Sequence, residues 1–125
     1  MARDILPESQ IHPAVRDKIT DNHRDIVDEV QRAVSTHDVV VVGMAINPFP
    51  RRARKALGER GIAFHYLEYG SYLGAWRRRT ALKMWTGWPT FPMIFVRGVL
   101  VGGFEDLERL MKTGEIDELL KAPRP

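Results

Sequence analysis

Apolar positions change their spacing several times along the chain, and each change marks an element. Ile11, Val15 and Ile19 recur at i, i+4 and i+8 in a stretch punctuated by Pro7 and Pro13, which predicts a brief helix within residues 1–21, an N-terminal helical extension. From Asp21 or Asn22, either of which suits a helix N-cap, Ile26, Val27, Val30 and Val34 fall on one helical face. Asp38 then precedes Val39–Val42, an apolar run without alternation that predicts a strand covered on both faces, as a central parallel strand is. A basic helix over Arg51 to Arg60 follows, with Ala53, Ala56 and Leu57 as its apolar stripe and Gly58 and Gly61 near its end.

Ile62 to Leu67 reads as a second strand and completes a βαβ unit. Tyr72 to Trp85 reads as a helix. Met93–Val96 and Val99–Val101 read as two strands joined by Arg97-Gly98, a two-residue hairpin signal, so the sheet turns antiparallel there. Gly102-Gly103 opens a last helical region with Leu107, Leu110 and Met111 on one side, Gly114 as a stop, and Ile116, Leu119 and Leu120 in a final turn or two. The order α, βαβ, α, ββ, α predicts a four-stranded mixed sheet flanked by helices and resembles the thioredoxin-like α/β fold. The organisation expected is an extension over 1–21, one domain over 22–121 and a tail at 122–125.

Composition narrows the chemistry. At 125 residues and 44% hydrophobic, the chain suits a single core. No apolar run approaches the roughly 18 to 20 residues of a membrane helix and the first ten residues are not signal-like, so a cytoplasmic location is expected. The chain contains no cysteine, which excludes disulfides, cysteine metal sites and thiol chemistry by its own side chains. The four histidines, His12, His23, His37 and His65, lack metal-ligand spacing, and no metal site is expected. Positive charge concentrates in Arg51-Arg52-Ala53-Arg54-Lys55 and Arg77-Arg78-Arg79, against a net charge of +3. The clusters read as solvated helix faces and Trp76, Trp85 and Trp88 as core aromatics, so a nucleic-acid partner is not expected, whereas an acidic protein partner fits the basic face.

The candidate chemistry lies in two segments. Asn47-Pro48-Phe49-Pro50 sits where the valine strand hands over to the basic helix, and Asn47 as cap with Pro48 in the first helical position specifies a helix start. Continued through Arg51-Arg52-Ala53-Arg54-Lys55-Ala56-Leu57, it resembles the active-site segment of the glutaredoxin family, Cys-Pro-Tyr-Cys followed by a basic helix, with Asn47 and Pro50 in place of both sulfurs. Trp88-Pro89-Thr90-Phe91-Pro92, then Gly98, then Leu100-Val101-Gly102-Gly103, resembles the substrate-binding half of the monothiol glutaredoxins.

That resemblance implies a glutathione groove. Thr90, Phe91 and a cis Pro92 are expected to offer backbone to an extended peptide. Gly102, Gly103 and Phe104 are expected to hold a γ-glutamyl carboxylate by backbone N–H, and Glu105 to take the amine. Arg79 and Lys83, which share a helix face, are expected to meet the glycyl carboxylate, while Met44 stands near where the family places a further lysine. Disulfide reduction and cluster bridging both need the missing cysteine and are not expected. The leading expectation is a non-catalytic module that binds glutathione, a γ-glutamyl compound or an extended peptide. One alternative is a glutathione-transferase-like enzyme in which Asn47 activates the thiol of bound glutathione. Another is a protein-interaction scaffold with a basic face.

Overall fold

The computed structural model describes residues 2–71 and 74–125. The elements are α1 (Pro13–Asp21), α2 (Arg24–Thr36), β1 (Val39–Gly43), α3 (Pro48–Glu59), β2 (His65–Glu68), α4 (Trp76–Thr86), β3 (Met93–Val96), β4 (Val99–Gly102), α5 (Phe104–Thr113) and α6 (Glu115–Lys121). They form a thioredoxin-like α/β fold with one sheet of order β2-β1-β3-β4, in which β1 runs parallel to β2 and antiparallel to β3, and β3 antiparallel to β4.

The unbroken valine run has its explanation in the two cores. Val40 and Val42 pack with Met93 and Phe95 against Ile26, Val27 and Val30 of α2 and Ala81 and Leu82 of α4. Val39 and Val41 pack with Ile94 and Val96 against Ala53 and Leu57 of α3 and Leu107, Met111 and Ile116 of α5 and α6. Successive residues of a strand point to opposite faces, so a strand with helices on both sides has no polar position to spare. The hairpin between β3 and β4 places Arg97 (φ 51°) and Gly98 (φ 82°) in left-handed conformations, as a two-residue turn requires. Arg97 is held there by Asp38, whose carboxylate accepts from Arg97 Nη1 at 2.9 Å.

Three element starts differ from expectation, each for a physical reason. Helix α2 begins after His23, a left-handed residue with no side-chain cap, because α1 extends through Asp21 and the chain must bend between the two helices. Helix α3 begins at Pro48, capped by the Asn47 side chain as the Asn-Pro start predicts, and the basic stretch from Arg51 continues it. Strand β2 begins at His65 rather than Ile62: the pairing with β1 starts at Val40 opposite His65, and the Ile62 N–H is drawn back to the Leu57 carbonyl at the end of α3. Helix α4 begins at Trp76, after Ala75 in a left-handed conformation; Tyr72, where the sequence pattern placed its start, lies outside the described residues.

Helix α1 buries none of its residues, and Val15 and Ile19 are exposed. Residues 122–125 are tied down, with Arg124 donating to the carbonyls of Val34 and His37 at 2.6 and 3.1 Å. No described helix is long and apolar enough to cross a membrane.

Two tyrosines at the β2 edge carry a pH dependence. Burial first, then a hydrogen bond to Glu68 and the Glu68 charge, pushes the Tyr66 phenol up to about 12 despite the nearby Arg54 cation. Burial, together with donation to Glu29 of α2 and the charge of that carboxylate, raises Tyr69 as well. Both pKa values lie above the unfolded value, so the folded state keeps protons that the unfolded chain releases. This contribution is complete below about pH 10 and is lost as pH rises through the folded values. The denaturant midpoint is expected to fall from about pH 10 to about 12, and less steeply in Tyr66→Phe. Equal slopes in the two proteins would show that the Tyr66 phenol does not carry the effect.

Candidate functional site

The C-terminal end of β1, the start of α3, the face of α4, the segment before β3 and the start of α5 surround a groove of about 490 Å³. Its walls include Met44, Asn47, Pro48 and Phe49 on one side, Lys83 from α4, Trp88 to Pro92 along the floor, and Gly103 to Asp106 opposite. The Phe91–Pro92 peptide is cis.

The start of α3 has no spare donors. Of its first three residues, Pro48 and Pro50 carry no N–H, and the Phe49 N–H donates to Asn47 Oδ1 at 3.0 Å. The other end of the Asn47 amide, Nδ2, donates across the groove to the Phe91 carbonyl at 3.3 Å. Asn47 therefore does two jobs: it caps α3 and ties the helix start to the residue before the cis bond. Pro50 is buried behind this point and packs on Gly43, where even a Cβ would come within 2.7 Å of the proline ring. Ile46, just ahead of the cap, is 75% exposed and holds φ at 70°, a conformation that costs a β-branched residue about 1–3 kcal/mol.

The start of α5 is the opposite case. Gly103 caps it, and the Gly103 N–H donates to Asp106 Oδ2 at 3.0 Å. The N–H groups of Phe104 and Glu105 have no acceptor among the described residues. They sit at the positive end of a ten-residue helix that faces the groove. Phe104 packs obliquely on Phe49 across the opening, ring centroids 6.5 Å apart. Trp88 Nε1 is buried beside Gly103 without a hydrogen-bond partner, so the wall of the groove holds an unsatisfied donor.

The structure gathers most of the sequence-predicted residues around this groove and separates three from it. Asn47, Pro48, Phe49, Lys83, Thr90, Phe91, Pro92, Gly103, Phe104 and Glu105 line it. Pro50 does not, being packed beneath. Arg79 does not: it is 6% exposed, and its guanidinium donates to the carbonyls of Tyr69 and Gly74, where it braces the loop ahead of α4. Its place on the same helix face as Lys83 was legible, but the unpaired carbonyls that claim it were not. Gly102 lies behind the wall at φ 106°, where a Cβ would strike the Asp106 carboxylate at 2.6 Å. Asp106 itself was missed, although its position three residues after Gly103 is a capping signal. Lys83 Nζ stands 5.9 Å from the Phe91 ring centre and has no ion-pair partner among the described residues. The basic stretch of α3 divides, with Arg51, Arg52 and Lys55 exposed and Arg54 half-buried, its guanidinium 3.9 Å over the Tyr66 ring.

Comparisons with known proteins agree with this fold. A family profile described as glutaredoxin matches residues 39–101. A glutaredoxin-like protein of Dictyostelium discoideum is 45% identical over 103 residues, 82% of this chain and 84% of that protein. The mitochondrial monothiol glutaredoxin-S15 of Arabidopsis thaliana is 27% identical over 120 residues, 94% of this chain and 67% of that protein. Among solved structures, a buckwheat glutaredoxin determined in complex with glutathione superposes with a TM-score of 0.70 at 20% identity, covering 81% of this chain and 92% of that one, a likeness of fold.

The two roles of Asn47 separate by substitution. Asn47→Ala is expected to lower stability by about 1–2 kcal/mol through loss of the cap. Asn47→Asp is expected to recover most of that loss in chemical denaturation, while shifting the amide resonances of Phe91 and Met93 because the donor to the Phe91 carbonyl is gone. Unmoved resonances in Asn47→Asp would show that the cross-groove bond is absent in solution.

Proposed function

This chain belongs to the glutaredoxin family, and we propose that its role there is binding without thiol chemistry of its own: a cytoplasmic, non-catalytic module that holds glutathione, another γ-glutamyl compound or an extended peptide. The observation that carries this reading is the contrast between two helix starts facing one groove. At α3, where the family places its nucleophile, cysteine is absent and the first-turn donors are missing or occupied. At α5 two backbone N–H groups remain open. The redox end of the site is closed and the anion-binding end is intact.

The remaining groups match a short peptide with charged ends. A γ-glutamyl carboxylate seated on the Phe104 and Glu105 N–H groups lies beside the wall in which Trp88 Nε1 is buried. Glu105 lines the groove, is exposed and has no ion-pair partner among the described residues, so it is free to take an ammonium. The Phe91 N–H has no acceptor among the described residues and offers one main-chain bond, while the Phe91 carbonyl is already engaged by Asn47. Lys83 supplies the cation for a carboxylate at the far end. With Arg79 turned inward and Met44 in place of the family lysine, that end has one cation, which predicts modest affinity. A transferase role is less well supported, because both ends of the Asn47 amide are already hydrogen-bonded and Phe49 has no N–H left for a bound thiol.

A titration with reduced glutathione followed by amide NMR is expected to give saturable shifts at Phe91, Gly103, Phe104 and Glu105. Lys83→Ala is expected to weaken binding about tenfold, the worth of one charge-assisted contact. Absence of shifts at millimolar ligand would reject the groove reading.

The exposed side of α3 supports a second reading, docking to an acidic protein. Arg51, Arg52 and Lys55 project from one helix without ion-pair partners among the described residues. Reversing Arg51 and Arg52 to Glu is expected to abolish co-purification of an acidic partner with the full chain. Retention of the same partner by the reversed protein would remove this reading.

A further inference from the structure

The sulfur end of the groove is built for an apolar group. A ligand whose middle residue pairs with the Phe91 N–H directs that residue's side chain toward the start of α3. The first turn of α3 has no free backbone N–H for a thiolate: Pro48 and Pro50 have none, and the Phe49 N–H is bonded to its own cap. A free thiol would find instead Pro48, the Phe49 ring and the Phe104 ring, the two rings 6.5 Å apart and both lining the groove. Phe49 is 42% exposed: the Arg52 guanidinium stands 5.2 Å from its ring centre, and the rest of its apolar surface is open.

We propose that the preferred occupant of the groove is a γ-glutamyl peptide whose sulfur already carries an apolar substituent, a glutathione thioether, with the substituent lying against the groove side of the Phe49–Phe104 pair. This rests on the γ-glutamyl reading of the groove and narrows its ligand. Charge complementarity fixes the peptide portion, with two open N–H groups and Glu105 at one end and Lys83 at the other. The aromatic pair fixes the substituent. A thioether has no proton to lose and asks for no donor from α3, so the closure of that helix start costs it nothing. Covering the Phe49 and Phe104 faces with an alkyl chain removes apolar surface from water on both partners. No covalent step is involved, and the chain acts as a receptor or carrier for such conjugates.

Isothermal titration calorimetry with three probes tests this: reduced glutathione, S-hexylglutathione, and γ-glutamyl-alanyl-glycine, which has no sulfur. S-hexylglutathione is expected to bind about tenfold more tightly than the other two, which bind alike. In Phe49→Ala the ratio of S-hexylglutathione to γ-glutamyl-alanyl-glycine affinity is expected to fall to about threefold or less. Because both probes are measured on the same protein, that ratio is insensitive to a general loss of folded molecules, and thermal unfolding of the variant checks the fold directly. Equal binding of all three probes to the unmodified protein would overturn the thioether preference while leaving the γ-glutamyl groove standing. Failure of all three to bind would overturn both. Binding of S-hexylcysteine as tightly as S-hexylglutathione would also overturn the proposal, since it would show a greasy patch acting without the peptide-binding groups.

Discussion

Burial of β1 on both faces is the constraint from which the site follows. Val39 and Val41 fill one core, Val40 and Val42 the other, and all four are essentially inaccessible to solvent. A strand clamped in this way cannot shift register by one residue without exchanging every side chain between cores. Its end at Gly43 is therefore a fixed point, and Gly43 lacks the Cβ that would keep Pro50 away. The start of α3 is seated on that point, and the Asn47 amide reaches from it to the Phe91 carbonyl. The two walls of the groove are thus held together by packing below and a hydrogen bond above.

Within this frame the two helix starts that face the groove differ in what they offer. Two prolines and an asparagine make α3 a well-capped helix that presents few free donors at its first turn. Gly103 and Asp106 leave α5 with two. A helix N-terminus attracts anions through its unpaired N–H groups as well as its dipole, so removing the N–H groups weakens such a site even though the dipole persists. Phe104 and Phe49 line the groove beside the start of α3 with apolar surface. In the proposed function, binding rests on the start of α5, while the start of α3 has neither a thiol nor a free first-turn N–H.

Arg79 and Asp106 illustrate how far one-dimensional reading reaches into the site. The i, i+4 relation of Arg79 to Lys83 placed both on one side of α4, yet only Lys83 reaches the groove. Arg79 is captured by the carbonyls of Tyr69 and Gly74, next to left-handed residues at Gly70 and Ala75. Asp106 lies at the capping distance from Gly103, but side chains at adjacent positions, Glu105 included, offer the same charge. Only the helix geometry decides that Asp106 caps while Glu105 faces the opening.

The sequence by itself determined the order of elements, the double burial of β1, the hairpin at Arg97-Gly98 and the absence of a thiol, because each is a property of local periodicity, turn chemistry or composition. It also determined that α3 would be capped at Asn47 and would lack the N–H groups of Pro48 and Pro50. Tertiary structure alone decided that the free end of the Asn47 amide bonds to Phe91, that Arg79 turns inward, and that the Phe49 and Phe104 rings meet across the groove. Those contacts join residues 44, 5 to 10 and 55 positions apart in the chain. The two longer ones depend on the sheet bringing β1 and β3 side by side, and the shorter one on where the fold places the Tyr69 and Gly74 carbonyls, neither of which any local pattern of residues encodes.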